Sequence, residues 1–147
     1  MQYGLRNSTL SALMPCETSS QITNSTNGIE PPRGLISVKQ SKDGTLKQVV
    51  PGFTQYRQNY ELLWSIPNNT GYLELVGIMQ KFVDQSISAN TNYDPSKFES
   101  EKVPMNVLFQ DLVYAYKMGV KTLYYHNTRD GSGVQEEDGC AGGGCTL

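Results

Sequence analysis

Two stretches of the chain place apolar residues at the spacing of an α-helix. The first, "NNTGYLELVGIMQKFVDQ", has an apolar face made of Leu73, Val76, Met79, Phe82 and Val83. Leu75 and Ile78 broaden that face, which predicts a well-buried helix. The second, "VPMNVLFQDLVYAYKMG", has a stripe made of Met105, Leu108, Phe109, Leu112 and Tyr116. Pro104 near its start and Gly119 after its last turn bound a predicted helix over residues 104–118.

Other stretches have the pattern of β-strands. "SISANTNYDP" becomes extended and is stopped by Pro95, and "VKTLYYHN" is typical of a strand. "STLSALMP" (residues 8–15) is a short apolar stretch that indicates a strand or an extended segment. "LISVKQ" and "TLKQVV" flank "SKDG", which predicts a β-hairpin with Asp43 and Gly44 at its turn.

Two shorter helices are also predicted. In "TQYRQNYELLW" (residues 54–64), one helical face would carry Tyr56, Tyr60, Leu63 and Trp64. In "CETSSQITNSTNG", a cluster of hydroxyl residues is typical of a helix start, and Gly28 is placed to close that helix.

The order of these elements, with helices between extended segments, indicates an α/β fold with part of a parallel sheet or barrel. The strands are few and short, so a sheet built from them alone leaves open edges and exposed faces. We therefore expect residues 1–128 to form a piece of a larger barrel. Residues 129–147 are rich in Gly and acidic residues and are expected to form a disordered tail.

Composition and charge argue against two classes of partner. The 147 residues include 12 basic and 14 acidic side chains, for a net charge of −2, and form no basic stripe. Nucleic-acid binding is therefore not expected. No stretch approaches the roughly 20 apolar residues of a membrane helix, and the first residues lack the pattern of a signal peptide. We expect a cytoplasmic protein without membrane contact.

Two of the three cysteines, Cys140 and Cys145, lie in the Gly-rich tail. Four residues separate them, three of them Gly, and a loop of this flexibility lets the two thiols form a disulfide. A mobile dithiol can carry reducing equivalents between a site and the protein surface. A zinc half-site or two idle thiols are the alternatives, although a structural zinc site needs four ligands.

The neighbouring Tyr124 and Tyr125 allow two interpretations. Adjacent strand residues normally point to opposite faces, so ordinary packing with partial exposure is the first. The second is redox chemistry, because phenols are among the side chains most easily oxidised by one electron. His126 has no evident partner and is interpreted as a surface or loop residue.

A hydroxyl cluster at a predicted helix start forms a candidate anion site. Thr18, Ser19 and Ser20 stand there with the unpaired backbone N–H groups of the first turn, a combination that can hold a phosphate. An ordinary N-cap cluster is the alternative. Cys16 precedes the cluster and is interpreted as a small packed residue.

Taken together, several stretches resemble the C-terminal part of the large (alpha) subunit of class Ia ribonucleotide reductase. They are "YGLRNSTLSALMPCETSSQITNSTNGIEPPRG", "LVGIMQKFVDQSISANTNYDPSKF", "GVKTLYYHNTRDG" and the terminal C-x4-C pair. The resemblance covers essentially the whole chain and is weakest over residues 52–71 and 131–139. It implies a ten-stranded α/β barrel around a finger loop with a thiyl-radical cysteine. It also implies the reduction of ribonucleoside diphosphates to deoxyribonucleoside diphosphates.

The resemblance assigns roles to particular residues. Binding of the substrate diphosphate is expected at Glu17, Thr18, Ser19 and Ser20. Tyr124 and Tyr125 match the stacked pair that passes the radical from the small (beta) subunit toward the finger-loop cysteine. Cys140 and Cys145 match the pair that re-reduces the active-site disulfide and is itself reduced by thioredoxin or glutaredoxin. The helix over residues 104–118 matches one wall of the groove that receives the small subunit's C-terminal peptide.

Two local features follow from this comparison. Stacking of neighbouring tyrosines conflicts with regular strand alternation, so we predict a bend or an irregular backbone near Tyr124. At Cys16 the family pattern favours a hydroxyl residue, so this chain adds a thiol beside the expected phosphate site.

The family's finger-loop cysteine, its active-site disulfide and its allosteric nucleotide domain have no counterpart in this sequence. No metal or cofactor is expected on the chain, because the di-iron tyrosyl radical belongs to the small subunit and the allosteric nucleotides to the N-terminal part. Because Met1 lies inside the family's continuous sequence, we expect the C-terminal half of a split large subunit, active only with a separate N-terminal chain. Its compartment would be the cytoplasm, that of the host if the source is viral. A non-catalytic remnant or decoy that binds the small subunit is the alternative, and a freestanding dithiol carrier is a third reading.

Overall fold

A computed structural model describes residues 3–41 and 44–129 of the chain. These residues form two compact units, one of residues 3–16 and 67–129 and the other of residues 17–41 and 44–66. The expected tail with Cys140 and Cys145 lies outside the described residues, and its predicted boundary at residue 129 stays a prediction. Each unit is described separately below.

The unit of residues 17–66 contains a short helix, a hairpin and a second short helix. Its elements are α1 (Glu17–Thr23), β1 (Ile36–Ser41), β2 (Gly44–Val49) and α2 (Phe53–Tyr56). β1 and β2 pair antiparallel from Ile36 opposite Val49 to Ser41 opposite Gly44, so the predicted hairpin is confirmed. The turn position is shifted by one residue from the prediction, because Gly44 pairs within β2. The linking residues 42–43 lie outside the described part of the chain.

Helix α1 ends earlier than predicted. Asn24, directly after Thr23, has a φ of 49° in the left-handed region, which the predicted closing residue Gly28 was expected to supply. The amide of Ser25 donates to the carbonyl of Ser20 at 2.9 Å, and that of Asn24 to Gln21 at 3.4 Å. These two bonds form a Schellman motif, in which Asn can replace Gly as the left-handed residue.

The continuous helix predicted over residues 54–64 is wrong. Only α2 and two single 3₁₀ turns form there, and Tyr60 has extended dihedrals with φ −74° and ψ 127°. Tertiary bonds override the helical pattern: the Tyr60 hydroxyl donates to the carbonyl of Pro51 at 2.8 Å. The amide of Leu63 donates to the carbonyl of Pro32 at 2.9 Å. A continuous helix would use that amide for its own bond, so local propensity yields to long-range bonding.

The other unit is built around a βαβ motif. Its elements are α3 (Thr70–Gln80), β3 (Ala89–Tyr93), α4 (Met105–Lys117) and β4 (Leu123–Thr128). β3 and β4 pair in parallel, and α4 lies in the connection between them, which confirms the predicted α/β organisation. The core of this unit contains Leu73, Val76, Ile87, Ala89, Tyr93, Ala115 and Val120. No sheet of the described residues closes into a barrel, so the ten-stranded barrel stays a prediction.

Two predicted helices are confirmed, and the buried face of the first is narrower than predicted. α3 buries Leu73 and Val76, but the helix ends at Gln80, so Phe82 falls in the following turn and is 80% exposed. α4 begins after Pro104 and is followed by Gly119 with a φ of 83°, as predicted. Most members of its predicted stripe are exposed, namely Met105, Phe109, Leu112 and Tyr116.

Buried Gln80 at the end of α3 shapes the loop that leads to β3. Its side-chain amide donates to the carbonyls of Val83 at 3.0 Å and Gln85 at 2.8 Å. Its oxygen accepts the amide of Ile87 at 3.1 Å. Three bonds from one buried side chain fix the approach to β3, since each would be costly to leave unmade.

The N-terminal segment of this unit runs beside that loop. The carbonyls of Ser11 and Leu13 accept the amides of Gln85 and Ser88, both at 3.1 Å. Asp84 accepts the amides of Leu10 at 2.8 Å and Ser11 at 3.2 Å, and the bond from Leu10 is the main cause that lowers its pKa. Residues 8–15 are therefore an ordered extended segment, in agreement with the sequence, although no regular strand forms there.

Gly77 lets α3 approach the end of α4 closely. A Cβ added at Gly77 would lie 2.6 Å from the carbonyl oxygen and 2.9 Å from the Cβ of Met118. We expect Gly77→Ala to destabilise the unit by about 1–3 kcal/mol, because backbone must move. Gly71→Ala in the same helix is the control: its Cβ meets nothing within 4 Å, so it should stabilise α3 by roughly 0.5–1 kcal/mol. Hydrogen exchange of the α3 amides measures both, and shifts of the same sign would contradict the packing.

Within residues 3–41 and 44–129, none of the helices has the length and apolar character that crossing a bilayer requires.

Candidate functional site

The tyrosine pair sits on an irregularity of β4. In the β3–β4 register, Ala89 pairs with Leu123 and Thr91 pairs with His126. Between these two pairs the chain moves on by two residues in β3 but by three residues in β4, which is the signature of a β-bulge. Tyr124 and Tyr125 both lie opposite a single β3 residue. The irregular backbone predicted near Tyr124 is confirmed.

The bulge brings the two phenol rings together. The ring centroids of Tyr124 and Tyr125 are 4.2 Å apart with 55° between the ring planes. Both side chains are more than half exposed, at 53% and 56%. Hydrogen bonding with Tyr124 is the main cause that raises the pKa of Tyr125 above its ordinary value. The pair is a contacting, solvent-accessible phenol dyad rather than two residues on opposite faces of a strand.

Three consecutive side chains of β3 bind three consecutive residues of β4 at and beyond the bulge. The amide of Tyr125 donates to Oδ1 of Asn90 at 3.0 Å. The Thr91 hydroxyl and Nδ1 of His126 are 2.6 Å apart, and Nδ2 of Asn127 donates to Oδ1 of Asn92 at 3.0 Å. We call these contacts, made by Asn90, Thr91 and Asn92, the polar ladder.

His126 is a surface residue, as the sequence indicated, but it has a partner that the sequence did not reveal. His126 lies on β4 rather than in a loop, and its ring nitrogen is paired with fully buried Thr91. The sequence offered no partner because Thr91 is 35 residues away and becomes a neighbour only through the parallel pairing.

At the far end of the strand pair, Arg129 binds Asp94. Its guanidinium Nη1 lies 3.1 Å from the Asp94 carboxylate, whose other oxygen accepts the amide and hydroxyl of Ser96. The bond from the Ser96 hydroxyl is the main cause that lowers the pKa of Asp94, and the bond from Arg129 acts in the same direction. This ion pair anchors the residue that directly follows β4.

A second polar network joins α3, β3 and α4 behind the strands. The Asp111 carboxylate accepts hydrogen bonds from Nδ2 of Asn69 at 2.7 Å and from the hydroxyl of Tyr93 at 3.0 Å. Oδ1 of Asn69 accepts the amide of Asn92 at 2.9 Å. Burial is the main cause that raises the pKa of Tyr93 to about 12, and the nearby Asp111 adds to the effect. Tyr93 therefore acts as a hydrogen-bond donor that is difficult to ionise.

We expect Asp111→Ala to weaken this network strongly. The change removes the acceptor of both the Asn69 amide and the Tyr93 hydroxyl, and bonds to a charged acceptor contribute about 1.5–3 kcal/mol. Protection of the α4 and β3 amides from hydrogen exchange should fall roughly 30-fold, the equivalent of about 2 kcal/mol. Asp111→Asn keeps one acceptor oxygen and should lose less, and Gln110→Ala, at an exposed neighbouring position, should change nothing. Equal losses in all three variants would contradict the role of Asp111.

The predicted diphosphate residues lie at the start of α1. Glu17 is the first residue of the helix, which confirms a helix start at the hydroxyl cluster. Ser19 is exposed, whereas Ser20 is 4% exposed. Cys16 precedes them, with its thiol donating to the carbonyl of Met14 at 3.2 Å. Diphosphate binding by residues 17–20 stays a prediction.

The unit of residues 17–66 also has an open cavity of about 620 Å³. Gln21, Asn24, Lys47, Gln48 and Phe53 are among the residues that line it. Among the described residues, those predicted to bind the diphosphate, residues 17–20, are not part of this lining.

The sequence analysis singled out the tyrosines but missed Asn90, which binds the amide of Tyr125, and the other residues of the polar ladder. A signal for the missed residues exists in "SANTNY", where a predicted strand carries Asn90, Thr91 and Asn92 in succession. Polar residues in a strand of a parallel sheet need partners, because such strands are usually buried on both faces. That signal indicates a polar pairing but does not identify its partner strand.

The fold and site define an α/β protein whose parallel βαβ unit carries a contacting tyrosine pair. A family model described as the ribonucleotide reductase barrel domain matches residues 1–58 and 54–126. The chain therefore belongs to the ribonucleotide reductase family and lies within its barrel domain. This confirms the resemblance found in the sequence.

Individual relatives agree with this assignment. The chain is 70% identical to the ribonucleoside-diphosphate reductase subunit alpha of Haemophilus influenzae, over 99% of this chain and 20% of that protein. It is 65% identical to the ribonucleoside-diphosphate reductase 1 subunit alpha of Escherichia coli K12, again over 99% of this chain and 20% of that protein. The subunit alpha of Enterobacteria phage T4 is 54% identical over 91% of this chain and 18% of that protein. The chain thus spans about a fifth of the length of the relatives it matches.

Proposed function

We propose that the chain supplies the radical-transfer tyrosines, the diphosphate-binding segment and the reducing dithiol of a ribonucleoside-diphosphate reductase. The observation that carries the proposal is the tyrosine pair, with ring centroids 4.2 Å apart on a strand that is bulged at those two residues. A regular strand would separate neighbouring side chains onto opposite faces. Membership in the reductase family gives such a pair a chemical task.

That task is the transfer of one electron and one proton between phenols. A tyrosyl radical on one ring gains an electron and a proton from its neighbour, so one O–H bond forms and the other breaks. The neighbour becomes the radical, and the pair as a whole is unchanged in charge. In the assembled enzyme the radical would come from the di-iron tyrosyl centre of the small subunit and pass to a cysteine in the part of the barrel that lies outside this chain. The chain itself would need no metal for this step.

The substrate contacts would come from the start of α1. Glu17, Thr18, Ser19 and Ser20 match the family segment that binds the substrate diphosphate. Ser19 is exposed and offers a hydroxyl at the start of a helix, a position that favours an anion.

The tail would close the redox cycle. Reduction of the substrate removes its 2′-hydroxyl as water and oxidises two active-site thiols to a disulfide. Cys140 and Cys145 would then exchange with that disulfide, which restores two thiols and leaves the tail pair oxidised. Thioredoxin or glutaredoxin would supply the two electrons and two protons that reduce the tail. Each exchange breaks one S–S bond and forms another.

The chain would act only with the rest of the large subunit, supplied by an N-terminal partner chain. β3 and β4 form a two-stranded parallel sheet, and parallel sheets are ordinarily covered on both faces. Apolar side chains that the missing barrel would cover are exposed on the same unit, among them Leu10, Ile78 and Phe82. Allosteric nucleotides would bind to that N-terminal part.

The small subunit would dock along α4. Met105, Phe109, Leu112 and Tyr116 project outward at spacings of four, three and four residues and form an exposed apolar face. This face lies on the helix that matches one wall of the family's groove for the small subunit's C-terminal peptide. An apolar helical face of this kind suits a peptide partner.

The test is a chimera in which this chain replaces the matching fifth of the Haemophilus influenzae relative. We expect the chimera, with a small subunit and thioredoxin, to reduce ribonucleoside diphosphates. Mixing the chain with a separately produced N-terminal part tests the split arrangement in the same assay. A chimera that binds the small subunit yet forms no deoxyribonucleotide would favour the alternative, a non-catalytic remnant or decoy. Failure to bind the small subunit at all would reject both readings.

A further inference from the structure

We propose that Asn90 is a positioning residue for the tyrosine pair. Its side-chain oxygen holds the amide of Tyr125 and thereby fixes the bulge that brings the two rings together. The relevance of this contact to radical transfer rests on the function proposed above. The positioning itself is a property of the strand pair and can be measured separately.

The register shows why a side chain is needed at this point. Ala89 and Thr91 each have one partner on β4, while Tyr124 and Tyr125 together face Asn90. One backbone residue cannot serve two opposing residues in the regular ladder, so a bulge leaves backbone groups that need other partners. The amide of Tyr125 finds Oδ1 of Asn90 at 3.0 Å. Asn90 thus replaces the ladder bond that the bulge removes.

The competing arrangement is a regular strand. In it Asn90 would face Tyr124 and Thr91 would face Tyr125, and the tyrosine side chains would point to opposite faces. The Asn90 bond is made to Tyr125, at the second of the two bulged positions, so it stabilises the bulged register specifically. Bonds of the polar ladder beyond this point, such as that between Asn92 and Asn127, hold β4 after the register has been set.

The first measurement is the coupling between the two phenols in the chimera. With 3-nitrotyrosine at position 125, absorbance follows ionisation of that phenol, and Tyr124→Phe should shift its pKa because it removes the hydroxyl that is hydrogen-bonded to the residue 125 side chain. In an Asn90→Ala background, we expect Tyr124→Phe to cause little or no further change. This double substitution measures the interaction between positions 90 and 124 rather than stability alone.

Two controls separate positioning from general damage to the sheet. Asn90→Asp keeps an oxygen acceptor for the Tyr125 amide and should preserve the coupling. Asn92→Ala is the same truncation two residues along β3, where it removes the bond to Asn127 and leaves the bulge acceptor in place. It should also preserve the coupling. If Asn90→Ala keeps the full effect of Tyr124→Phe, or Asn92→Ala removes it equally, the proposal is overturned.

The second measurement is the reduction rate of the chimera. We expect Asn90→Ala to lower it on the order of 10²-fold, the scale of a misplacement of about 1 Å, without weakening substrate binding. Asn90→Asp should recover most of the rate. An unchanged rate in an Asn90→Ala chimera that has lost the coupling would overturn the role in relay. An inactive unsubstituted chimera would reject the proposed function instead, while the titration would still decide the positioning.

Discussion

Replacing Tyr125 with phenylalanine should reduce deoxyribonucleotide formation by the chimera to background. Phenylalanine keeps the ring beside Tyr124 but lacks the O–H bond that must break when the radical passes. Because the lost group is one exposed hydroxyl, the fold should not change, and binding of the small subunit and of substrate should be retained. Even the first turnover should fail, since the radical never reaches the active site. Product formation in a single-turnover assay with fully reduced chimera measures this directly.

A matched control makes the result specific. Tyr56→Phe removes the hydroxyl of a tyrosine outside the pair whose overall exposure is similar, 51% against 56% for Tyr125. It should leave the reduction rate unchanged. Product formation by the Tyr125→Phe chimera at a rate near that of the Tyr56→Phe chimera would contradict radical transfer through Tyr125. A loss in both would indicate that phenol hydroxyls contribute to folding instead.

The bulge at the tyrosines illustrates what the sequence carries and what it leaves out. Two adjacent tyrosines expected to stack require neighbouring side chains to lie together, which a regular strand forbids, so an irregular backbone could be predicted. The residue that completes the irregularity could not be predicted. Asn90 becomes the partner of Tyr125 only through parallel pairing across 35 residues, and no local pattern specifies that register.

The helices show the same division between local and tertiary information. Pro104 and Gly119 bound α4 because Pro fixes φ at the helix start and Gly readily adopts the left-handed conformation that ends the helix, so both limits followed from the sequence. The helix expected over residues 54–64 does not form, because two of its residues make tertiary hydrogen bonds. The amide of Leu63 donates to the carbonyl of Pro32, and the hydroxyl of Tyr60 donates to the carbonyl of Pro51. Periodicity describes the face a segment would present, but tertiary bonds decide whether the segment is a helix.

The outward face of α4 shows a limit of periodicity itself. Its stripe at Met105, Phe109, Leu112 and Tyr116 has the periodicity of a core-facing helix, yet all four residues are exposed. Periodicity identifies an apolar face without saying whether the chain itself covers it. For a chain that spans about a fifth of its relatives' length, a face reserved for a partner looks the same as a face of the core.

The Cys140→Ser and Cys145→Ser variants should each stop repeated turnover while leaving the first turnover intact. Both residues lie outside the described part of the chain, and the expectation rests on their spacing and on the family match. A fully reduced chimera already holds the active-site thiols that one reduction consumes, so one deoxyribonucleotide should form per subunit. The next cycle needs both tail thiols, because one attacks the active-site disulfide and the other resolves the mixed disulfide.

Comparing two reductants shows whether the tail thiols carry electrons between cycles or take part in the reduction of the substrate itself. With thioredoxin, either variant should stop after one turnover, because tethering is what keeps the dithiol at an effective concentration on the order of millimolar near the buried disulfide. A small dithiol at high concentration can reach that disulfide without the tail and should restore repeated turnover. Cys16→Ser is the control, since it removes the remaining thiol of the chain at a position where the family pattern favours a hydroxyl, and it should sustain turnover with thioredoxin. A Cys140→Ser chimera that turns over repeatedly with thioredoxin, or one that fails in the first turnover, would contradict the shuttle, because a shuttle acts only between cycles.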